Sequence, residues 1–397
     1  MNPLKVLWLT PWVPDPPIGA ATRVFQLMQG VAAKHEIHLA CLEVEFTGHM
    51  PNVGKLCRSV NVFPRDYSRR KAQIISLFTG RAHIRVGAQS KALNQWAMAH
   101  GAEFDAAISD YTHMGWVTVA PGPKRILDLH NLEYEVMMRT GQTDTHPLRG
   151  WYRRLDARHL MREEMELCRN FDLIATCSQR EADIISRWGI KGRCLAIPNG
   201  VDPTRFERSL TPEEQALVYP EIAIIGTMNY FPNEQGILYF HRYIWPLILA
   251  RRPQTTYGSI GGTPRTPVLR LASSNIMVRP MVPDTLPYFK KSRLLAASLL
   301  SGGGTRVKIL EAFAAGTPVV TTSMGCEGIG VRNGVHLRIA DDPESFADAC
   351  LDILEHPEKT TAMTQAARDL VLNHFDSRKW GALFCEALEQ LCVNKRV

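Results

Sequence analysis

Residues 301–322, SGGGTRVKILEAFAAGTPVVTT, gather the residue types best suited to holding a phosphorylated ligand. Gly302, Gly303 and Gly304 offer backbone N–H groups with no side chain in the way, and Thr305 leads from them towards a helix N-terminus. Such loops and such helix ends both favour an anion. Arg306 and Lys308 stand beside that N-terminus, where basic residues oppose the helix dipole, so a bound anion would relieve the conflict. Glu311 follows Lys308 by three residues on the same helix face, a carboxylate placed to accept from ribose hydroxyls. The stretch reads as a site for a phosphorylated nucleoside. Each part also has a plainer use, since a triple-glycine loop serves as a turn and a Lys–Glu pair as a solvated helix face. It is neither a dinucleotide fingerprint nor a P-loop, for it contains no G-x-G-x-x-G and no G-K-S/T.

The elements that position these residues alternate strand and helix. An apolar run at 294–300 predicts a strand before the glycines, and an apolar-periodic helix runs to about 315. Gly316 stands where a left-handed C-cap is wanted, Pro318 stops the helix, and 318–322 reads as a buried strand. The N-terminus repeats this plan: a strand at 5–10, the loop PWVPDPPIGAATR closing on Gly19 and Ala20, a helix over about 22–33 and a strand at 36–42. That βαβ unit predicts a parallel sheet, whose ligands lie at the carboxyl ends of its strands. Arg23 is expected to reach from the helix start towards an anion, or else to be an exposed arginine of an ordinary turn. Further strands are expected at 104–109, 125–128, 173–177 and 194–198, then at 222–225, 256–260, 275–279 and 336–339. His130 falls at one strand's carboxyl end and Gly226 follows another. A lone histidine there is either ligand-facing or a satisfied structural residue. Helices are expected over about 146–169, 343–355, 358–373 and 377–392.

The 397 residues are too many for one ordinary domain. Asn199-Gly200 marks a turn and a polar stretch follows, so the expected division is residues 1–205, 206–374 and a terminal helix at 375–397. The fold class is α/β: two Rossmann-like βα-repeat domains whose parallel sheets face each other across a cleft, the default place for a ligand. Nine scattered cysteines, with no C-x-x-C, argue for a reducing compartment and against a disulfide scaffold or zinc site. With no signal-peptide pattern and no membrane-length apolar run, the chain is expected in the cytoplasm. The net charge is +7, and residues 1–200 carry +6 of it. Seven of those cations fall in 65–91 against the single acid Asp66, with Ile74, Ile75, Leu77 and Phe78 interleaved. That pattern suits an anionic membrane surface, although a solvated helix face has the same composition. No nucleic-acid module is recognisable. No D-x-D triplet occurs, so no metal or other cofactor is expected.

GGGTRVKILEAFAAGTPVVTT, IPNGVD, PPIGAATR and LDLHNLE together resemble the retaining, GT-B-fold glycosyltransferases of the group 1 type, over nearly the whole chain. GTMNYFPNEQG and TRVKILEAF further resemble a subgroup of sugar transferases associated with exopolysaccharide synthesis and the PEP-CTERM/exosortase system. The resemblance implies a nucleoside-diphosphate sugar donor, a glycan or lipid-linked acceptor and retention of configuration. Glu311 matches the second glutamate of the family's glutamate-x7-glutamate signature, while Gly303 stands where the first belongs. The family's G-R-L…K-G reads Gly226-Thr227-Met228…Gln235-Gly236, without either cation. Arg306 and Lys308 are therefore expected to neutralise the leaving pyrophosphate, with the loop amides assisting. His130 matches a family histidine near the reacting sugar, and the last helix is expected to brace the first domain. Two other readings stay open: a nucleotide-sugar epimerase of the same fold, and a catalytically silent scaffold in a polysaccharide assembly complex.

Overall fold

The computed structural model describes residues 2–15, 20–42, 52–190 and 193–393. The chain forms two compact units, residues 1–199 with 377–397, and residues 200–376.

The first unit is built on a seven-stranded parallel sheet. Its strands are β1 (Lys5–Thr10), β2 (Glu36–Leu42), β3 (Cys57–Phe63), β4 (Ala106–Asp110), β5 (Lys124–Leu129), β6 (Leu173–Thr176) and β7 (Arg193–Ala196). They run in the order β3-β2-β1-β4-β5-β6-β7. Strand order reverses between β1 and β4, where open α/β sheets bind ligands. The central strands are buried on both faces, with Val6, Trp8, Ile108 and Ile126 on one side and Leu7, Leu9 and Ala107 on the other. This is why they read as continuous apolar runs.

The final helix, Ser377–Val393, lies in this unit against the helix Ala20–Ala32. Two glycines permit the contact. A Cβ on Gly30 would fall 2.4 Å from the Gly381 backbone, which no relaxed structure accommodates. Phe384, Cys385 and Leu388 of the last helix are buried with Val24, Leu27 and Val31 of the first.

The second unit holds a six-stranded parallel sheet: β8 (Ile222–Ile225), β9 (Tyr257–Gly261), β10 (Ile276–Pro280), β11 (Leu294–Ala297), β12 (Val319–Thr321) and β13 (Arg338–Ile339). Its order is β10-β9-β8-β11-β12-β13, so its reversal falls between β8 and β11. The crossover from β11 to β12 is the helix Val307–Ala315, which buries Ile309, Leu310 and Phe313 against the sheet. It ends on Gly316 at φ 75°, the left-handed C-cap.

Among the described residues no helix is long and apolar enough to cross a membrane. The helix Arg69–Thr79 exposes Ile74, Leu77 and Phe78, the last at 86 %.

Candidate functional site

In the second unit, the loop leaving β11 carries the three glycines to the switch point. Gly302 and Gly304 adopt φ 122° and 65°, conformations open to glycine. Gly303 is half-buried and Thr305 buried beside them. Arg306 is the N-cap of the helix Val307–Ala315. The sequence expects its guanidinium to face a pyrophosphate, and here the structure differs. It turns onto the carbonyls of Gly303, Gly304 (2.6 Å) and Met324 (3.3 Å). Carbonyls at a tight glycine turn lack strand or helix partners, and the arginine supplies them. Arg306 therefore fixes the shape of the loop.

Lys308 behaves differently. Its Nζ donates to Asn233 Oδ1 at 2.8 Å, and Asn233 Nδ2 donates to the Thr227 carbonyl at 2.9 Å. Gly226, at φ 149°, makes room for it: a Cβ there would meet Lys308 Nζ at 2.8 Å and Asn233 Nδ2 at 2.9 Å. Gly226, Asn233, Gly236, Ser298 and Lys308 line one small pocket at the carboxyl ends of β8 and β11. Among the described residues no carboxylate lies within salt-bridge distance of Lys308. Burial, with help from Arg306, pushes its pKa down to about 7. A half-buried cation without a counter-ion is a place where an anion gains much.

Glu311 Oε1 accepts from Arg205 Nη1 at 2.8 Å, and Arg205 Nη2 reaches Asp284 at 2.6 Å. Burial holds the Glu311 carboxyl above its ordinary range, and Arg205 opposes the shift. Sequence reasoning missed Arg205 and Asn233. Only the turn signal at Asn199-Gly200 and the motif GTMNYFPNEQG hinted at chain approaching a site.

In the first unit, His130 lies just past β5, buried, one strand beyond the switch point between β1 and β4. Its Nε2 is 3.3 Å from Asp128 Oδ2 and 3.7 Å from Asp110 Oδ1. Tyr111 stacks on its ring with centroids 3.6 Å apart. Arg23, expected to reach towards a ligand anion, is instead buried on Asp128 (2.6 Å) and on Asn199 Oδ1 (3.1 Å). Burial works against the Arg23 charge, but Asp128 more than offsets it. The correction has a plain cause: a buried guanidinium takes a carboxylate wherever the fold supplies one. Asp110, Asp128 and Tyr111 were not singled out from sequence, although Asp110 ends β4 much as His130 follows β5.

Gly19 lies outside the described residues, and Ala20 opens the helix Ala20–Ala32. Among the described residues two clusters carry donors that metals use, Asp110–Asp128–His130 and His35–Cys385–Glu389. In the first, Arg23 already occupies Asp128, which disfavours a second cation there.

Two Rossmann-like units, each with its residues gathered at a switch point, define the GT-B fold. Comparison with known proteins agrees. Residues 17–205 match the family described as Glycosyltransferase Family 4, and residues 219–356 match Glycosyl transferases group 1. Two family models, both of glycosyltransferases, thus match successive stretches of the chain. Among solved structures it is similar to sucrose-phosphate synthase from Thermosynechococcus elongatus, with a TM-score of 0.74 at 16 % identity over 98 % of this chain and 100 % of that one. It is similar to HepE from Anabaena, solved in complex with UDP and glucose, with a TM-score of 0.69 at 14 % identity over 98 % and 100 %. An uncharacterized 44.6 kDa protein in the cps region of Klebsiella pneumoniae is 23 % identical over 168 residues, 40 % of this chain and 43 % of that protein.

Proposed function

We propose that the protein transfers a sugar, with retention of configuration, from a nucleoside-diphosphate sugar to an acceptor hydroxyl in exopolysaccharide or other cell-surface glycan synthesis. The single observation that carries the donor reading is Lys308, half-buried beside Gly226 and Asn233 with no carboxylate at salt-bridge distance among the described residues. The second unit binds the nucleoside diphosphate: Lys308 and the 303–305 amides hold the phosphates, Arg306 keeps the loop shaped for them, and Glu311 takes the ribose. The first unit contributes His130 to the reacting sugar and receives the glycan or lipid-linked acceptor. The sugar–phosphate bond breaks with oxocarbenium character, and the leaving phosphate takes the acceptor's proton. Charge is neutralised by side chains and amides, without a metal. The UDP seen in HepE and the cps-region relative support a nucleotide-sugar donor and a surface-glycan role. The protein works in the cytoplasm, at the inner face of the plasma membrane, with the basic segment 65–91 against anionic lipid.

The test incubates the purified protein with a panel of nucleotide sugars, with and without membrane-extracted lipid-linked glycan. Acceptor-dependent release of nucleoside diphosphate, with slow hydrolysis otherwise, is expected. An epimerised donor formed without acceptor would replace this reading with an epimerase. No turnover and no donor binding would leave a silent scaffold.

A further inference from the structure

The turn Asn199-Gly200 leads into a segment whose arginines build an ion-pair network beside Glu311. Asp202 caps the short helix Pro203–Glu207, its Oδ1 accepting from the Thr204 amide at 3.0 Å. Phe206 is buried with Leu286 and with Ile309 and Leu310 of the helix Val307–Ala315. That packing sets Arg205 between two acids from different elements. Its Nη1 donates to Glu311 Oε1 at 2.8 Å, and its Nη2 donates to Asp284 Oδ1 at 2.6 Å. Arg208 takes the other Asp284 oxygen at 3.1 Å and both oxygens of Glu214, at 2.8 and 2.9 Å.

Three carboxylates thus share two guanidinium groups, and the donors are spread unevenly. Glu214 and Asp284 have a donor on each oxygen, and the amides of Thr211 and Leu286 add to them. Glu311 has a donor on Oε1, and among the described residues no hydrogen bond reaches Oε2. The Glu311 side chain keeps only 17 % of its surface exposed. A carboxylate oxygen left over on a largely buried side chain gains from a hydroxyl brought to it.

We propose that Arg205 is a positioning residue for ribose recognition: by holding Glu311 Oε1 it orients the carboxylate so that Oε2 is left to accept from a ribose hydroxyl of the nucleotide. Two features give Arg205 this work. The last torsion of a glutamate side chain is soft, and a bond to one oxygen fixes where the other lies. The planar fork of an arginine also serves two acids at once, which a lysine's point charge does not. Without it Glu311 and Asp284 would face each other as like charges. Burial already holds the Glu311 carboxyl above its ordinary range, and Arg205 is the group that most opposes this and keeps it an acceptor.

The ligand role of Oε2 rests on the nucleoside-diphosphate reading and on Glu311 as its ribose acceptor. The experiment is calorimetry of the full chain with UDP, GDP and ADP, each beside its 2′-deoxy and 3′-deoxy analogue. Wild type should bind one or both analogues about tenfold more weakly than the ribonucleotide. In Arg205→Met the ribonucleotide should weaken to the level of that analogue, while the analogue binds as it does to wild type, so the discrimination closes. Arg205→Lys keeps the charge without the fork and should retain only part of the discrimination. An equal loss for ribonucleotide and analogue marks a merely structural ion pair and overturns the inference. So does full discrimination in a folded Arg205→Met or Arg205→Lys. Wild-type protein that binds a ribonucleotide and both its analogues alike overturns it even if neither variant folds, and removes the ribose role of Glu311 as well. Wild-type protein that binds none of the three ribonucleotides overturns the proposed function, and this role of Arg205 with it.

Discussion

Lys308 should impose a proton on donor binding. In the ligand-free protein its ammonium is half-buried against Asn233, and burial with Arg306 pushes its pKa down to about 7. A diphosphate beside it restores the charged form. At pH 7 half of the molecules then take up a proton on binding, ~0.5 proton per nucleotide. At higher pH the uptake approaches one, and affinity falls roughly 5-fold from pH 7 to 8 and roughly 10-fold from pH 8 to 9. Calorimetry with UDP and with GDP, in two buffers of different ionisation enthalpy, reads both quantities. The nucleotide's own phosphate ionises near pH ~6, so the steps above pH 7 belong to the protein. Lys308→Arg should bind without the pH step. Lys308→Met should bind weakly at every pH, and Lys308→Ala should lose roughly a hundredfold or more in turnover. The sign also shows in stability. The folded pKa lies below the unfolded value of about 10.4, so the unfolded chain binds more protons between those limits. Stability contributed by this residue therefore rises with pH across that window. Lys308→Met should accordingly melt higher than the wild type at pH 7, and the gap should close towards pH 10. No proton uptake by the wild type between pH 7 and 9, or an equal slope in Lys308→Met, would refute the reasoning.

Glu311→Ala should weaken nucleotide binding in the same calorimeter, and unchanged affinity would reject the ribose role. Gly30→Ala forces a methyl against the Gly381 backbone and should cost about 1–3 kcal/mol in a denaturant titration. Gly54→Ala, where an added Cβ meets nothing within 4 Å, is its neutral control. Phe78→Asp, or Arg70→Gln with Lys71→Gln, should release the protein from vesicles containing anionic lipid in a flotation assay; a wild-type protein that never floats with them ends the membrane reading.

Most strands of both sheets were legible, because strands buried on both faces leave continuous apolar runs bounded by turn residues. The C-cap at Gly316 was legible because only a left-handed residue ends that helix, and Pro318 forbids its continuation. The strand Cys57–Phe63 was not seen. It is an edge strand, pairing with Glu36–Leu42 on one side, and its half-exposed residues CRSVNVF carry neither a clean alternation nor a long apolar run. At the site, residue types were legible and partners were not. Arg23 finds Asp128 across 105 positions and Lys308 finds Asn233 across 75. Nothing in local spacing distinguishes an arginine held by a carboxylate from one offered to a ligand. Arg306 failed for a subtler reason: three glycines leave carbonyls as well as amides exposed, and the nearest cation serves the carbonyls.

Where this chain departs from the pattern it resembles, the structure places a cation by another route. The pattern calls for cations after the first strand of the second domain, and the chain has Thr227 and Gln235 there. Gln235 is spent on the glycine loop, its Oε1 accepting from Ser301 at 3.0 Å. Charge reaches the same ground from the other side. Lys308 extends from the β11–β12 crossover helix to Asn233, into space that Gly226 leaves open. A cation arriving from a different element carries a different environment with it. A lysine on the rim of a helix start would keep its ordinary pKa, whereas one threaded beneath the loop after β8 is desolvated until an anion joins it. The relocation of the charge and the predicted pH dependence of binding thus share one origin in the sequence, the exchange of the pattern's cations for Lys308.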